Sequence, residues 1–281
     1  MRKALLANLF YSVDSICYKK SMSFAKISEF LFTWLREFWG LVIAIVFIFV
    51  FKFSFQIITR QLVGGILLIL VVYLTWSAWN QAVYRKEKLS AILPYESLYA
   101  VFTIIAGFII FRDTSVWAFV VALITFLVIL AFSIDFKNQT LPKNMKMVIL
   151  IHLFIAMELI LTWRVLQSVS NIEYVIVYQF LIIVVISTIL LAKKRFSDIK
   201  KTSLPFHAYT IGGALSNNIA WIIYLFMIGE LGVVMSTLLG FLWTGVTILF
   251  GRIFLKEKPT KKNLLMCVIV GGLVGLGFLL G

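Results

Sequence analysis

Ten apolar runs follow one another along the chain, and only short polar or charged connections separate them. An α-helix needs about 20 mainly apolar residues to cross the hydrocarbon core of a bilayer, so each run is a candidate transmembrane helix. The sequence therefore predicts an all-α integral membrane protein with ten transmembrane helices. The predicted bounds are 4–18, 27–51, 61–83, 89–111, 115–134, 147–166, 174–192, 207–228, 232–255 and 263–280.

The composition leaves little room for any other class of protein. Of the 281 residues, 62% are hydrophobic and only 14% are charged, whereas a soluble domain is about 25% charged. Cys17 and Cys267 both lie inside apolar runs, which indicates packing rather than a disulfide framework. The expected partner of this surface is the lipid bilayer, in a multi-pass protein of a bacterial or archaeal plasma membrane.

The net charge of +14 has two interpretations, an acidic partner or a membrane topology signal. The sequence shows no basic patch interleaved with aromatic residues outside the apolar runs, so we expect no nucleic-acid partner. Lysine and arginine number 19 in or beside the connections that follow odd-numbered helices, against six at the termini and the other connections. The excess of positive charge in cytoplasmic loops then predicts that both termini lie outside the cytoplasm.

The two halves of the chain resemble each other at an offset of 144 residues. Residues 1–135 and 147–281 become two units of five predicted helices, joined by a loop over 136–146. Because five is odd, two such units in series have opposite orientations in the membrane, and many secondary transporters with this plan bind substrate between the repeats. The aligned pairs include Asp14 with Glu158, Lys20 with Arg164, Glu29 with Glu173, Gly107 with Gly251 and Asp113 with Glu257.

Each half ends in the same way, with a helix rich in small residues, a short polar turn that contains an acid, and a final apolar helix. This arrangement resembles the paired EamA-type repeat of the drug/metabolite transporter superfamily, which implies ten helices in two inverted five-helix units. Asp113 stands where that family usually has glutamate, which keeps the charge. The residues that carry the resemblance are Leu89-Ser90-Ala91, Pro94, Gly107 and Phe111-Arg112-Asp113 in the first half, and Gly232-Val233-Val234, Gly240, Gly251, Phe254-Leu255-Lys256-Glu257, Gly271-Gly272 and Gly275 in the second.

Among the carboxylates within predicted helices, where an ionisable group is costly and needs an explanation, three are candidates for function. Asp14 and Glu158 occupy equivalent positions in the two repeats, and Glu96 lies about two turns inside the fourth helix. Each is a candidate to carry a proton or hold a cation, and the alternative is a structural or interfacial role. Arg36 is expected to pair with a carboxylate, and His152 is expected to be packed or interfacial.

Polar aromatic faces provide the candidate substrate site. Two sets of residues, one in each half, fall on one face of a helix at matching positions, and Tyr95 lies beside Glu96. Such faces suit a cavity wall that binds an amphipathic solute by stacking and a few hydrogen bonds, although tryptophan and tyrosine also collect at membrane interfaces. The two sets are Tyr73, Trp76 and Asn80, and Asn217, Trp221 and Tyr224.

Signatures of catalysis are absent from the sequence. It contains no nucleotide-binding G-x-x-x-x-G-K-[ST], no G-x-S-x-G and no zinc-ligand spacing, so we expect no catalytic residues, no metal and no cofactor. A transporter of this kind would draw its energy from a gradient. Gly271 and Gly275 have the four-residue spacing of close helix contacts, which suits packing within the chain or a homodimer.

The sequence thus favours a secondary active transporter of a small amphipathic metabolite or drug, coupled to protons, with a mid-membrane cavity between the repeats. Two alternatives stay open. An anion exchanger for phosphorylated sugars or nucleotide-sugars would use Arg36, Arg164 and Lys20 to bind phosphate. A membrane scaffold or receptor-like protein that transports nothing would not need a polar cavity.

Overall fold

A computed structural model describes residues 2–51, 60–88, 92, 95–112, 114–133, 143–240 and 243–280. Every regular element in these ranges is a helix. Asp113, Pro94 and most of the loop predicted over 136–146 lie outside the described residues.

The described helices follow the predicted runs closely. Besides the helices, the chain has a π-helical turn (Gly107–Phe111) and a 3₁₀ turn (Phe196–Lys201). The helices are α1 (Arg2–Phe24), α2 (Glu29–Phe51), α3 (Arg60–Lys86), α4 (Ser97–Ala106), α5 (Val116–Ser133), α6 (Lys143–Leu166), α7 (Asn171–Ala192), α8 (Leu204–Gly240), α9 (Trp243–Phe254) and α10 (Lys261–Leu280).

Six of these helices are long and apolar enough to cross a membrane: α2, α3, α5, α6, α7 and α8. They expose large apolar side chains on their outer faces, such as Phe49, Val71, Leu127 and Leu191. An outward apolar surface of this kind suits lipid rather than water. The structure is therefore compatible with a multi-pass membrane protein.

Helix α1 is more polar and lies inside the bundle, where it packs on α8 and α9. Asp14 and Asn8 are buried on it. Because these polar groups face other helices and not lipid, α1 does not have to be apolar on every face. The first predicted run, 4–18, is thus the larger part of a longer helix, one face of which, with Leu5, Leu6 and Leu9, stays exposed.

Helix α8 is interrupted at Gly232, whose backbone has φ 78° and ψ 167°. A residue with a side chain adopts this conformation only with strain, and glycine adopts it freely. No neighbouring atom would contact a Cβ placed there, so the backbone conformation alone requires the glycine. The break coincides with the predicted start of the ninth run, so Leu204–Gly240 contains the eighth run and the beginning of the ninth.

The helix contacts come in matched sets across the two halves. α1 packs on α8 and α9, while α6 packs on α3 and α4; α2 contacts α7, and α5 contacts α10. Exchanging the helix at each position of the first half for the helix at the same position of the second preserves these contacts, whereas the contacts of α4 with α5 and α8 have no equally strong equivalent among the described residues. The turns after α4 and α9 also match, because Arg112 (φ 55°) and Lys256 (φ 56°) are both left-handed non-glycine residues and lie 144 positions apart.

Candidate functional site

A cavity of about 240 Å³ lies within the bundle. Its walls come from α1, α2, α3, α6, α7 and α8, together with Glu96 and Tyr99 around the start of α4. Nine of the ten predicted site residues line it: Asp14, Tyr73, Trp76, Asn80, Glu96, Glu158, Asn217, Trp221 and Tyr224.

Two of the predicted site residues, Tyr95 and Glu96, belong to the fourth predicted run. Tyr95 is partly buried and packs against the apolar core, outside the set that lines the cavity. Glu96 lines the cavity as the N-cap residue of α4, which begins at Ser97. Most of the predicted run that precedes it lies outside the described residues.

Glu158 is buried on α6 and is held by two neutral donors. The indole Nε1–H of Trp76 donates to Oε2 at 2.6 Å, and the hydroxyl of Tyr178 donates to Oε1 at 2.7 Å. Donors on both oxygens fix the carboxyl group between α3 and α7. Within the described residues, no lysine, arginine or histidine pairs with it.

Glu37 is a second buried carboxylate on the same side of the cavity. Its Oε1 accepts a hydrogen bond from the hydroxyl of Tyr73 at 2.9 Å. The Tyr73 ring meets Trp76 edge-on at 5.3 Å and Tyr178 at 5.7 Å between ring centroids. Tyr73, Trp76 and Tyr178 therefore connect Glu37 and Glu158 in one cluster, which we call the carboxylate–aromatic cluster.

Asp14 forms an ion pair with an arginine. Arg36 Nη2 lies 2.7 Å from its Oδ2, and the guanidinium also lies over the ring of Tyr18 at 5.3 Å. Asp14 Oδ1 and Arg36 Nε are both buried without a hydrogen-bond partner among the described residues. The pairing predicted for Arg36 is thus present, and it neutralises one of the four carboxylates that line the cavity.

Glu96 links three helices. Its Oε1 accepts from the hydroxyl of Tyr84 on α3 at 2.9 Å, and its Oε2 lies 3.2 Å from Nε2 of His152 on α6. His152 is 1% exposed, so its partner is inside the protein and not in the interface or the solvent. The prediction of a packed histidine agrees with this position, but the contact with Glu96 was not foreseen.

Helix α8 provides an aromatic wall. Trp221 and Tyr224 stack with 5.8 Å between ring centroids, and Tyr11 of α1 meets Tyr224 edge-on at 6.3 Å. Gly240 leaves space beside them, since a Cβ there would lie 3.3 Å from Cε2 of Tyr224 and 3.1 Å from the hydroxyl of Tyr99. The wall offers ring faces that suit stacking of an apolar group.

Sequence reasoning missed several residues that line the cavity, among them Glu37, Tyr178 and Gln179. One signal was available: Tyr11, Asp14 and Tyr18 have the i, i+3, i+7 spacing already noted for Tyr73, Trp76 and Asn80. Nothing comparable marks Gln179, whose position follows from the packing of α7 on α2. Within the described ranges, no group of three His, Cys, Asp or Glu side chains could hold a metal ion.

Comparison with known proteins supplies a fold and no function. No family model matches the chain, and no curated protein matches it either. A solved structure described only as "Crystal structure of protein" is similar, with a TM-score of 0.74 and 10% sequence identity over 100% of this chain and 99% of that one. At this identity the likeness shows a shared fold over the whole length.

Proposed function

We propose that the protein is a secondary active transporter of a small amphipathic solute, coupled to protons, in which access to the central cavity alternates between the two sides of the membrane. The observation that carries the proposal is the cavity itself. It combines buried carboxylates with aromatic walls at the centre of a bundle with an apolar exterior. A membrane scaffold has no need of such a cavity.

The duplication supports ten crossings in two inverted units. Six pairs of cavity-lining residues are separated by 144 positions, so equivalent positions of the two halves meet in one site. A cavity shared in this way is what inverted repeats produce around their common axis. The pairs are Tyr11 with Ile155, Asp14 with Glu158, Ser15 with Leu159, Tyr73 with Asn217, Asn80 with Tyr224, and Glu96 with Gly240.

The three predicted coupling carboxylates have different surroundings, which favours different roles. Asp14 has an arginine partner, so its charge is compensated. Glu158 has only the neutral donors Trp76 and Tyr178, so protonation or a cation must compensate its charge when water is excluded. Glu158 is therefore the first candidate for the coupling proton, and Glu96 the second.

The alternative of an anion exchanger has less support. Arg36 is the one lysine or arginine among the described residues that line the cavity, and Asp14 already occupies it. Arg164 lies over the ring of Trp163 instead. Four carboxylates and one arginine would repel a phosphate ester.

The test is transport by the purified chain in liposomes with an imposed pH gradient. We expect Glu158→Gln to reduce proton-driven uptake at least about tenfold, because coupling needs an ionisable group there. Glu230→Gln is the matched control, since Glu230 is an exposed carboxylate bonded to Lys3. Equal uptake by both variants and the unchanged chain, or uptake that ignores the pH gradient, would contradict the proposal.

A further inference from the structure

We propose that the carboxylate–aromatic cluster binds the ammonium group of a protonated amine that keeps at least one N–H, with Gln179 as the neutral acceptor for that hydrogen. The inference rests on the proposed function, because it names the class of solute that the cavity takes. It is argued from charge, ring positions and one orphaned oxygen atom.

The first step is charge. Glu37 and Glu158 are each 6% exposed, and no lysine, arginine or histidine pairs with either among the described residues. Their donors, Tyr73, Trp76 and Tyr178, are all neutral. Arg36, which precedes Glu37 in the chain and lines the same cavity, acts on Glu37 electrostatically but forms its ion pair with Asp14. Glu158 is thus the carboxyl group whose partners are all neutral, and four carboxylates against one arginine favour a positively charged ligand in the cavity.

The second step is the rings. Tyr73 lies 5.3 Å from Trp76 and 5.7 Å from Tyr178, and both contacts are edge-to-face. Mutually tilted rings around a point present π-faces in several directions, and a desolvated ammonium is attracted to such faces. The same rings hold the carboxylates through their polar ends, so charge and aromatic surface occur together.

The third step is an amide chain whose direction is fixed. The backbone carbonyl of Gly40 can only accept, so the Asn218 side chain must direct its Nδ2 towards it, at 2.8 Å. Asn218 Oδ1 then accepts from Gln179 Nε2 at 2.6 Å. A Cβ on residue 40 would lie 2.6 Å from Gln179 Nε2, so the glycine makes this approach possible.

The consequence is an unsatisfied acceptor in the cavity wall. Gln179 is 4% exposed and lines the cavity, and its Oε1 has no hydrogen-bond partner among the described residues. Rotating the amide would break the bond to Asn218, so the oxygen stays an acceptor. The oxygen is itself buried, so a ligand reaches it only with a small shift of the surrounding side chains. An ammonium with an N–H then satisfies it, whereas a quaternary ammonium has no hydrogen to donate.

The experiment measures thermal unfolding of the purified full chain in detergent with three probes of one shape: phenethylamine, its N,N,N-trimethyl derivative and 2-phenylethanol. We expect phenethylamine to stabilise the protein at concentrations about tenfold lower than the trimethyl derivative. The neutral alcohol should have no effect. Equal stabilisation by both amines, or any stabilisation by the alcohol, would overturn the inference. So would NaCl alone, if it raised the unfolding temperature as much as phenethylamine does.

Variants locate the site. Gln179→Leu should weaken phenethylamine about tenfold and leave the trimethyl derivative unchanged. Gln81→Leu is the matched control, because Gln81 is also buried with an unpartnered Oε1 but does not line the cavity. If Gln179→Leu does not fold, the ratio of the two amines on the unchanged chain decides alone, and a ratio near one overturns the proposal.

Transport in liposomes separates this inference from the proposed function. Uptake of a neutral or anionic solute without any amine binding would overturn the inference and leave the transporter proposal in place. Amine binding with no proton-driven uptake would overturn the transporter proposal and leave the ammonium site in place.

Discussion

His152 contacts Glu96 inside the protein. Nδ1 of His152 lies 2.7 Å from the carbonyl oxygen of Val148, which can only accept, so Nδ1 carries a hydrogen. Nε2 lies 3.2 Å from Oε2 of Glu96. This distance lies within hydrogen-bonding range. The pair thus joins α6 to the start of α4.

Removing the histidine should cost more stability than neutralising the acid. His152→Leu leaves Glu96 Oε2 buried without a partner, and we expect a loss of about 1–3 kcal/mol. Glu96→Gln keeps both contacts, since its amide can donate to Nε2 and accept from Tyr84, so its effect should be smaller. Denaturant unfolding in detergent measures both. Equal losses of unfolding free energy in the two variants would show that the contact between His152 and Glu96 does not hold the helices together.

Asp14 should behave as a structural ion-pair partner. Asp14→Asn leaves the partly buried guanidinium of Arg36 without its ion-pair partner. Breaking a fully buried pair typically costs about 3–5 kcal/mol, and we expect a loss below that range. The double variant Asp14→Asn with Arg36→Met should recover part of that loss, because no unpaired charge remains. Unfolding measurements on the two single variants and the double variant form a cycle. Additive losses would contradict direct pairing.

Gly240 should control the size of the cavity. Its neighbours Tyr99 and Tyr224 lie close enough that alanine requires a shift of a few tenths of an ångström, while leucine would project into the space beside the α8 wall. We expect Gly240→Ala to change ligand binding little and Gly240→Leu to weaken it at least about tenfold. Gly245→Leu is the control, since a Cβ there meets nothing within 4 Å. Equal effects at both glycines would exclude the steric explanation.

The 3₁₀ turn between α7 and α8 provides a dependence of stability on pH. The hydrogen bond from Lys201 Nζ at 2.6 Å, assisted by Arg195, lowers the pKa of the Asp198 carboxyl group. Because the folded-state pKa is the lower one, the stabilisation is present at neutral pH, above the unfolded value of about 3.9, and disappears as pH falls through the folded value.

Asp198→Asn should therefore lower the melting temperature at pH 7 and make no difference at low pH, where the native carboxyl group is protonated as well. Lys200→Gln is the control for a change of charge in the same turn, since Asp198 bonds to Lys201 and Arg195. A difference that stays constant from pH 7 to pH 3 would contradict this explanation.

The sequence predicted the helices because the spacing of apolar runs determines where a chain can cross lipid. It also placed Tyr73, Trp76 and Asn80 on one helix face, and all three line the cavity. Periodicity defines a face, and the most polar face of an apolar helix turns inwards. The 144-residue offset paired Asp14 with Glu158, and both line the cavity.

Periodicity does not determine which helices meet, and the contacts of the site depend on that. Glu37 stands next to Arg36 in the chain, yet it bonds to Tyr73 while Arg36 bonds to Asp14. Gln179 owes its place to the approach of α7 to Gly40. Tyr95 shows the opposite error, because closeness in sequence to Glu96 did not bring it to the cavity.

The bond from the Trp76 indole to Glu158 also gives the site an optical signal. The emission wavelength of an indole depends on the charge beside its N–H, so Trp76 fluorescence follows the charge of the Glu158 carboxyl group. The chain has eight tryptophans, and subtracting the spectrum of Trp76→Phe isolates this one. Trp76 is thus an intrinsic fluorescent probe at the site where protons and solute would bind.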